Sequence, residues 1–310
     1  MSAISPPEQV RIAAENVPQT VACCKRSFCL FAAAGGINEA DNPPMATSQQ
    51  ETGREDWIKI DLHIHTLDDP KDSLDYSAHE LLERAAALGF RVLAITLHDA
   101  IFDRPEVFAD AAAMGILLIP AAEMRLQGAD VICLNVTAEE VATLRDFADL
   151  RRLRARRGSS FFTIAAHPFY VLGGSIGRRL LREIDCFDAI ELCHFHKGIF
   201  NPNRPAARVA RRFRKPLIAT SDAHQLQAFG AHYTSIRRPA ALTAENVFAS
   251  LRSEPLRLTS PPCSLRDLFS TFYFIFVAHP LRKRSGPSCQ HHRALPPSRP
   301  VARSLRISRS

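Results

Sequence analysis

Ile58-Lys59-Ile60-Asp61-Leu62-His63-Ile64-His65 decides how this chain folds. Its β-branched, apolar character predicts a short buried strand, and the strand ends on two imidazoles spaced i, i+2. That spacing puts both rings on one side of an extended segment, where they can share one metal ion. Two histidines at this spacing decide little alone. What raises the pattern above coincidence is that later apolar runs also end on residues of ligand type.

Candidate strands fall at 58–62, 92–96, 116–119, 131–136, 162–166, 189–192 and 217–220. The second is followed by His98-Asp99, and the third by Pro120-Ala121-Ala122-Glu123. The fifth ends in His167-Pro168, the sixth runs on to His194 and His196, and the seventh closes with Asp222-Ala223-His224. Six of the seven strands thus place a His, Asp or Glu at their C-terminal edge, the edge where barrel enzymes assemble their sites. Helix-like segments lie between them at 77–88, 105–114, 138–156, 177–183, 204–214 and 243–253. The first carries a capping box, Ser77 with Glu80, and a terminating Gly89. Short buried strands alternating with helices predict parallel βα units, here an α/β fold of the distorted seven-stranded (βα)7, TIM-like barrel type. An open doubly wound sheet is the alternative.

Four regions are expected. Residues 1–56, with Pro6-Pro7, Gly35-Gly36 and Pro43-Pro44, read as a disordered lead, and Met45 as the native start. Residues 57–260 form the barrel. Residues 261–284 read as an amphipathic helix, and residues 285–310 as a disordered basic tail. The net charge of +7 comes from the end of the chain: residues 282–310 hold eight Lys and Arg and no acid. The remainder is one unit negative, so the basic balance says little about nucleic acid. A hydrophobic fraction of 46% supports a sizeable core. The eight cysteines are scattered without a C-x-x-C pair, which predicts reduced thiols and a cytoplasmic protein.

Imidazole with carboxylate and without thiolate suits Zn²⁺, Mn²⁺ or Fe in a hydrolytic site. The candidates exceed what one tetrahedral ion takes, so two or three divalent ions are expected. At this point the motifs Asp61-Leu62-His63-Ile64-His65-Thr66, Ile95-Thr96-Leu97-His98-Asp99, Glu123, His167-Pro168 and Ser221-Asp222-Ala223-His224 resemble the PHP (polymerase and histidinol phosphatase) domain family. The resemblance covers about residues 57–260. It implies a trinuclear centre that hydrolyses phosphate esters with a metal-activated hydroxide. Carried onto this sequence, it implies His63, His65, Glu123 and Asp222 on one ion, and Glu123 with His167 and His194 on a second. A third would take His98, His224 and Asp72, with Asp69 as the rival to Asp72. Leu97 stands where the family commonly has Asp, and Ile132 where many members have His, so Asp130 or His194 is the expected substitute.

His63, His65, Glu123, Asp222 and His224 are accordingly the expected catalytic set, with Asp61 orienting a strand-one imidazole. Arg178, Arg179 and Arg204, after the loops of strands five and six, are expected to take substrate phosphate charge. The expected partner is a small phosphorylated substrate, with nucleic acid open but not indicated. A barrel amidohydrolase is a rival, although its usual bridging lysine is missing from 131–136. A non-catalytic binding domain is another. Residues 265–284, aromatic and then basic, are expected either to dock on the barrel or to rest on an anionic membrane surface.

Overall fold

The computed structural model describes residues 56–170, 173–198 and 201–264, together with Tyr273. The chain divides into two units, 1–48 and 49–310, and the first lies wholly outside the described residues. The expected lead, amphipathic C-terminal helix and basic tail fall outside them as well, apart from Asp56, residues 261–264 and Tyr273. Among the described residues no helix is long and apolar enough to cross a membrane.

The elements run β1 (Trp57–Ile64), α1 (Ala78–Leu88), β2 (Phe90–His98), α2 (Pro105–Ala113), β3 (Leu117–Leu118), β4 (Ala121–Leu126), β5 (Ala129–Leu134), α3 (Ala138–Thr143) and α4 (Phe147–Arg157). After them come β6 (Phe162–Ala165), β7 (Ala189–Leu192), α5 (Asn203–Phe213), β8 (Leu217–Ala219), β9 (Tyr233–Arg237), α6 (Ala244–Ser253) and β10 (Arg257–Thr259). The order in the sheet is β10-β9-β1-β2-β4-β5-β6-β7-β8, with β3 beside β2. A parallel bridge between Ile64 and Ala223 then joins the segment after β8 to the end of β1. The sheet is therefore barrel-like and nearly closed, and the bridge lies beside the strand-end histidines.

Seven regular βα repeats are not what the described residues build: among them the sheet has ten strands. β4 and β5 form an antiparallel hairpin around Gln127-Gly128, and β5 runs antiparallel to β6 as well. The expected strand at 116–119 is only the two-residue β3, and Glu123 sits within β4 rather than after a strand. Pro120 interrupts the run, since it offers no amide to the ladder. The helix expected at 138–156 is two, each opened by its own capping box at Thr137 and Asp146. The helix expected at 177–183 is a short 3₁₀ segment, Gly177–Leu181.

Three apolar clusters define the layers. One draws Ile60, Val92, Ala121, Ile132, Ile164, Ala189 and Ile218 from successive strands and fills the interior. A second packs α3, α4 and α5 on one outer face, and a third packs α1 and α2 on the other. β1 changes phase along its length. Ile60 belongs to the interior, whereas Ile64, four residues on, packs beneath α1. The pairing of β1 with β2 slips between Asp61 and Ile64. Such a slip re-aims the following side chains, and here it turns His63 and His65 inward above an apolar floor.

Candidate metal centre

His63 and His65 are fully buried, and their Nε2 atoms lie 3.2 Å apart. The far nitrogen of each ring is fixed by a carboxylate. Nδ1 of His63 is 2.9 Å from Glu191 Oε1, and Nδ1 of His65 is 3.1 Å from Asp69 Oδ2. His98 on β2 repeats the arrangement, with Nδ1 2.8 Å from Asp69 Oδ2 and Nε2 3.1 Å from Glu123 Oε2. A carboxylate on Nδ1 sets the proton there and leaves Nε2 as the free base, the tautomer that a metal-binding imidazole requires.

Glu123 and Asp222 face these Nε2 atoms. Glu123 Oε1 is 3.5 Å from His63 and 3.6 Å from His167, and its Oε2 is 3.3 Å from His65. Asp222 Oδ1 is 3.3 Å from His63 Nε2 and 3.5 Å from His65 Nε2. Asp222 (φ 45°) and His167 (φ 25°) hold left-handed backbone, which L-residues seldom adopt outside sites that fix them from several directions. For Asp222 that fixing is visible: its amide donates to His63 O, and Tyr76 Oη sits between the carbonyls of His65 and of the next residue, Ala223, its one proton shared between them.

Two further groups join at the rim. His224 Nε2 is 3.0 Å from Asp72 Oδ2, and its ring lies 4.4 Å from that of His65. His194 Nδ1 is 3.7 Å from Asp222 Oδ2. All nine residues read from the sequence as metal ligands thus gather at one end of the sheet. Among the described residues four sets bring one donor atom per residue within 4.8 Å of each other: His63/His65/Glu123, His65/His98/His224, His63/His167/Asp222 and Glu123/Asp130/His167. Asp130, on the antiparallel β5, occupies the neighbourhood where Ile132 stood in place of a histidine. Its Oδ2 is 4.0 Å from His167 Nε2.

The phosphate-binding expectation is redistributed. Arg179 gives its guanidinium to the carbonyls of Leu126 and Gln127 and lies 4.8 Å above the Phe147 ring. Arg178 and Arg204 are exposed at the starts of their helical segments. Asp61 does not orient an imidazole, because its carboxylate accepts from the backbone amides of His63 and Ser221.

The group that sequence reasoning missed is Glu191. Buried on β7, it takes His63 Nδ1 on Oε1, together with Thr220 Oγ1 at 2.5 Å, and the amide of His167 on Oε2 at 2.6 Å. One carboxylate thereby fixes residues of two donor sets. Glu191 shares a strand face with Ala189, two residues earlier, whose side chain lies in the interior cluster, so it points into the barrel.

Electrostatics follow from the crowding. Burial alone would push the His63 imidazolium down, but Asp222, Glu191 and Glu123 outweigh it and hold its pKa well above the ordinary value. Burial likewise opposes charge on His167, yet Glu123 and Asp222 raise it to about 9. Burial would lift Glu123 and Asp222; the surrounding histidines, His63 foremost, hold both well below the carboxylate range. Asp130 goes the other way, pushed up to about 6 by burial and by Glu123 beside it. Burial also raises Asp61, to about 7.

The donor set fits divalent cations. Three Nε2 atoms and two carboxylates converge without a thiolate, and a buried Nδ1 on His167 finds no protein partner. With their protons held on Nδ1, His63 and His65 would turn two lone pairs on each other at 3.2 Å. A shared cation resolves that conflict.

A family model described as PHP-associated matches residues 200–254. A comparison with curated proteins gave no match. Among solved structures, PsfC from Pseudomonas syringae superposes with a TM-score of 0.52 at 18% identity, covering 71% of this chain and 98% of its own. A two-domain Bacteroides vulgatus protein, described as containing a predicted PHP-like metal-dependent phosphoesterase, gives 0.49 at 17% identity over 70% and 69%. The lesion-specific endonuclease PfuEndoQ from Pyrococcus furiosus gives 0.47 at 13% over 70% and 66%.

Proposed function

From the resemblance of its strand-end motifs to the PHP domain family and the match of a PHP-associated family model over residues 200–254, we propose that this chain is a metal-dependent phosphoesterase of that family. The observation that carries the reading is the convergence of His63, His65, His98 and His167 on Glu123, each through Nε2 at 3.1–3.6 Å. A carboxylate met by four imidazole nitrogens could serve more than one ion, and its two oxygens divide those nitrogens between them, His63 and His167 on Oε1, His65 and His98 on Oε2.

In this reading His63, His65, Glu123 and Asp222 would hold one ion, while Glu123, His167 and Asp130 or His194 would hold a second. His98 and His224, with Asp69 or Asp72, would hold a third. Divalent ions bound there would acidify water and offset the charge of a phosphoryl group. The protein's own part is positioning. Glu191 and Asp69 keep the Nδ1 protons in place, Tyr76 clamps the carbonyls on either side of the β1 bridge, and the apolar floor beneath His63 lowers the dielectric around the site. Two features favour hydrolysis of a phosphate ester over an amidohydrolase: Glu123 at the centre of the cluster, and the absence of lysine from the strand Ala129–Leu134. The reading takes the protein to act in the cytoplasm.

The test is a metal-reconstituted screen of phosphomonoesters, nucleotides, phosphodiesters and an amide panel, run beside His65→Ala and Asp222→Ala. Phosphate release by the wild type and a loss of about a thousandfold or more in both variants is the expected result, in line with removing a nucleophile-generating centre. Turnover of amides alone, or equal turnover in the variants, contradicts it.

A further inference from the structure

The chain's helical arginines fall into two classes. On α4, Arg151, Arg152, Arg154, Arg156 and Arg157 are all ion-paired, with Glu183 and Asp185, Asp149, Asp188, and Glu140. On α5 the sequence Asn203-Arg204-Pro205-Ala206-Ala207-Arg208-Val209-Ala210-Arg211-Arg212-Phe213 has no acid at all. Arg204, Arg208, Arg211 and Arg212 are exposed, and among the described residues none of them meets a carboxylate. The i, i+4, i+7 spacing of Arg204, Arg208 and Arg211 puts them on one face, opposite the buried Ala206, Val209 and Ala210. They form a stripe roughly 10 Å long at 1.5 Å per residue. Unpaired like charges in a row repel one another, and an anionic partner removes that cost.

The helix that carries the stripe is tied at its start to the segment that bears His194. Asn203, the first residue of α5, accepts the Cys193 amide at 2.7 Å through Oδ1 and donates to the Cys193 carbonyl at 3.0 Å through Nδ2. Cys193 is the neighbour of His194, whose ring faces Asp222. Arg204 thus follows directly on the asparagine that ties α5 to the strand-end segment carrying His194, and the arginine row leads away from that end of the sheet along the outer face of the helix.

Resting on the phosphoesterase reading, we propose that the α5 face holds the phosphate backbone of a nucleic acid whose reacting phosphate lies in the metal cluster. A membrane surface fits less well, because such helices carry large apolar side chains beside their charges. The exposed large apolar residues described (Leu67, Leu88, Met114, Leu181, Leu258 and Tyr273) lie off α5. The near-neutral body of the chain makes this a local surface rather than an effect of net charge.

The test uses the full chain and a fluorescein-labelled, 5′-phosphorylated 20-nucleotide single strand, with binding followed by anisotropy from 50 to 200 mM salt. The variants are Arg204→Gln/Arg208→Gln/Arg211→Gln and, as a control on exposed paired arginines, Arg152→Gln/Arg156→Gln. Losing three phosphate contacts reduces the log–log salt slope by about 2 and weakens binding about tenfold or more at 50 mM salt. The α4 control and the melting temperatures stay as in the wild type. Unchanged oligonucleotide binding in the α5 variant overturns the proposal. So does loss of binding to phosphatidylserine vesicles alone. If α5-dependent oligonucleotide binding is found in a protein that hydrolyses no phosphoester, the surface stands and the hydrolase reading falls.

Discussion

His63 Nε2 and His65 Nε2 face each other at 3.2 Å, each ring tied at its other nitrogen to a buried carboxylate, Glu191 for one and Asp69 for the other. Two free bases this close need either a shared proton or a shared cation between them. The choice depends on pH and on metal supply, and from it a set of measurable consequences can be drawn.

The first concerns acidity. In the metal-free protein His167 titrates near 9, above the ordinary 6.5. A folded-state pKa raised in this way contributes stability that is complete below about 6.5 and is lost as pH rises to about 9. A metal ion displaces the proton and removes that dependence. The gap in melting temperature between Zn²⁺-loaded and metal-free protein should therefore widen from pH 6.5 to 9, and calorimetry in buffers of differing ionisation enthalpy should show proton release on loading. A constant gap would count against imidazole ligation.

Glu191 gives the second. Replacing it by Gln puts an amide NH₂ where a carboxylate accepted from both the His63 ring and the His167 amide, so at least one of those bonds is lost. Metal affinity, measured by chelator competition, should fall about 10–100-fold, the usual effect of removing a group that orients a ligand. Affinity like that of the wild type would mean that Glu191 supports only the fold.

Gly174 supplies a third. A Cβ there would lie 1.7 Å from Asp130 Oδ2, whereas one at Gly173 meets nothing within 4 Å. Both positions carry positive φ, so Gly173→Ala shares the backbone strain without the clash. Gly174→Ala should displace Asp130, cost roughly 1–3 kcal/mol in stability, and lower metal stoichiometry by about one ion relative to Gly173→Ala. Equal stoichiometry in the two variants would remove Asp130 from the ligand set.

Asp69 and Asp72 can be separated in the same way. Asp69 Oδ2 meets the His65 and His98 rings at 3.1 and 2.8 Å, while Asp72 meets His224 at 3.0 Å and is held down at a pKa of about 2, burial being outweighed by that histidine. Asp69→Asn is expected to weaken metal binding more than Asp72→Asn, because two imidazoles lose the group that fixes their tautomer. The reverse order, by chelator competition, would make Asp72 the direct ligand.

The residues that carried chemistry were readable because they sit where apolar runs stop: His65, His98, His167 and Asp222 all follow strands that hydrophobicity alone reveals. The path of the sheet was less legible. β4, Ala121–Leu126, is two-thirds alanine and charge and follows Pro120, so neither strand propensity nor alternation marked it, and the hairpin that brings Asp130 to the rim went unread. Glu191 was overlooked for a related reason. A carboxylate inside Ala189–Leu192 acquires meaning only when His63, far away in sequence, folds against it. Arg179 shows the opposite failure: a plausible position after a loop, with its guanidinium spent on the carbonyls of the β4–β5 hairpin.

The most direct measurement is elemental analysis of the purified full chain beside His63→Ala and Asp222→Ala. The account predicts two to three Zn, Mn or Fe ions per chain in the wild type and a loss of at least one in each variant, with the fold retained by circular dichroism. A wild-type chain that holds no divalent metal after reconstitution, or variants that bind as much as the wild type, would contradict it.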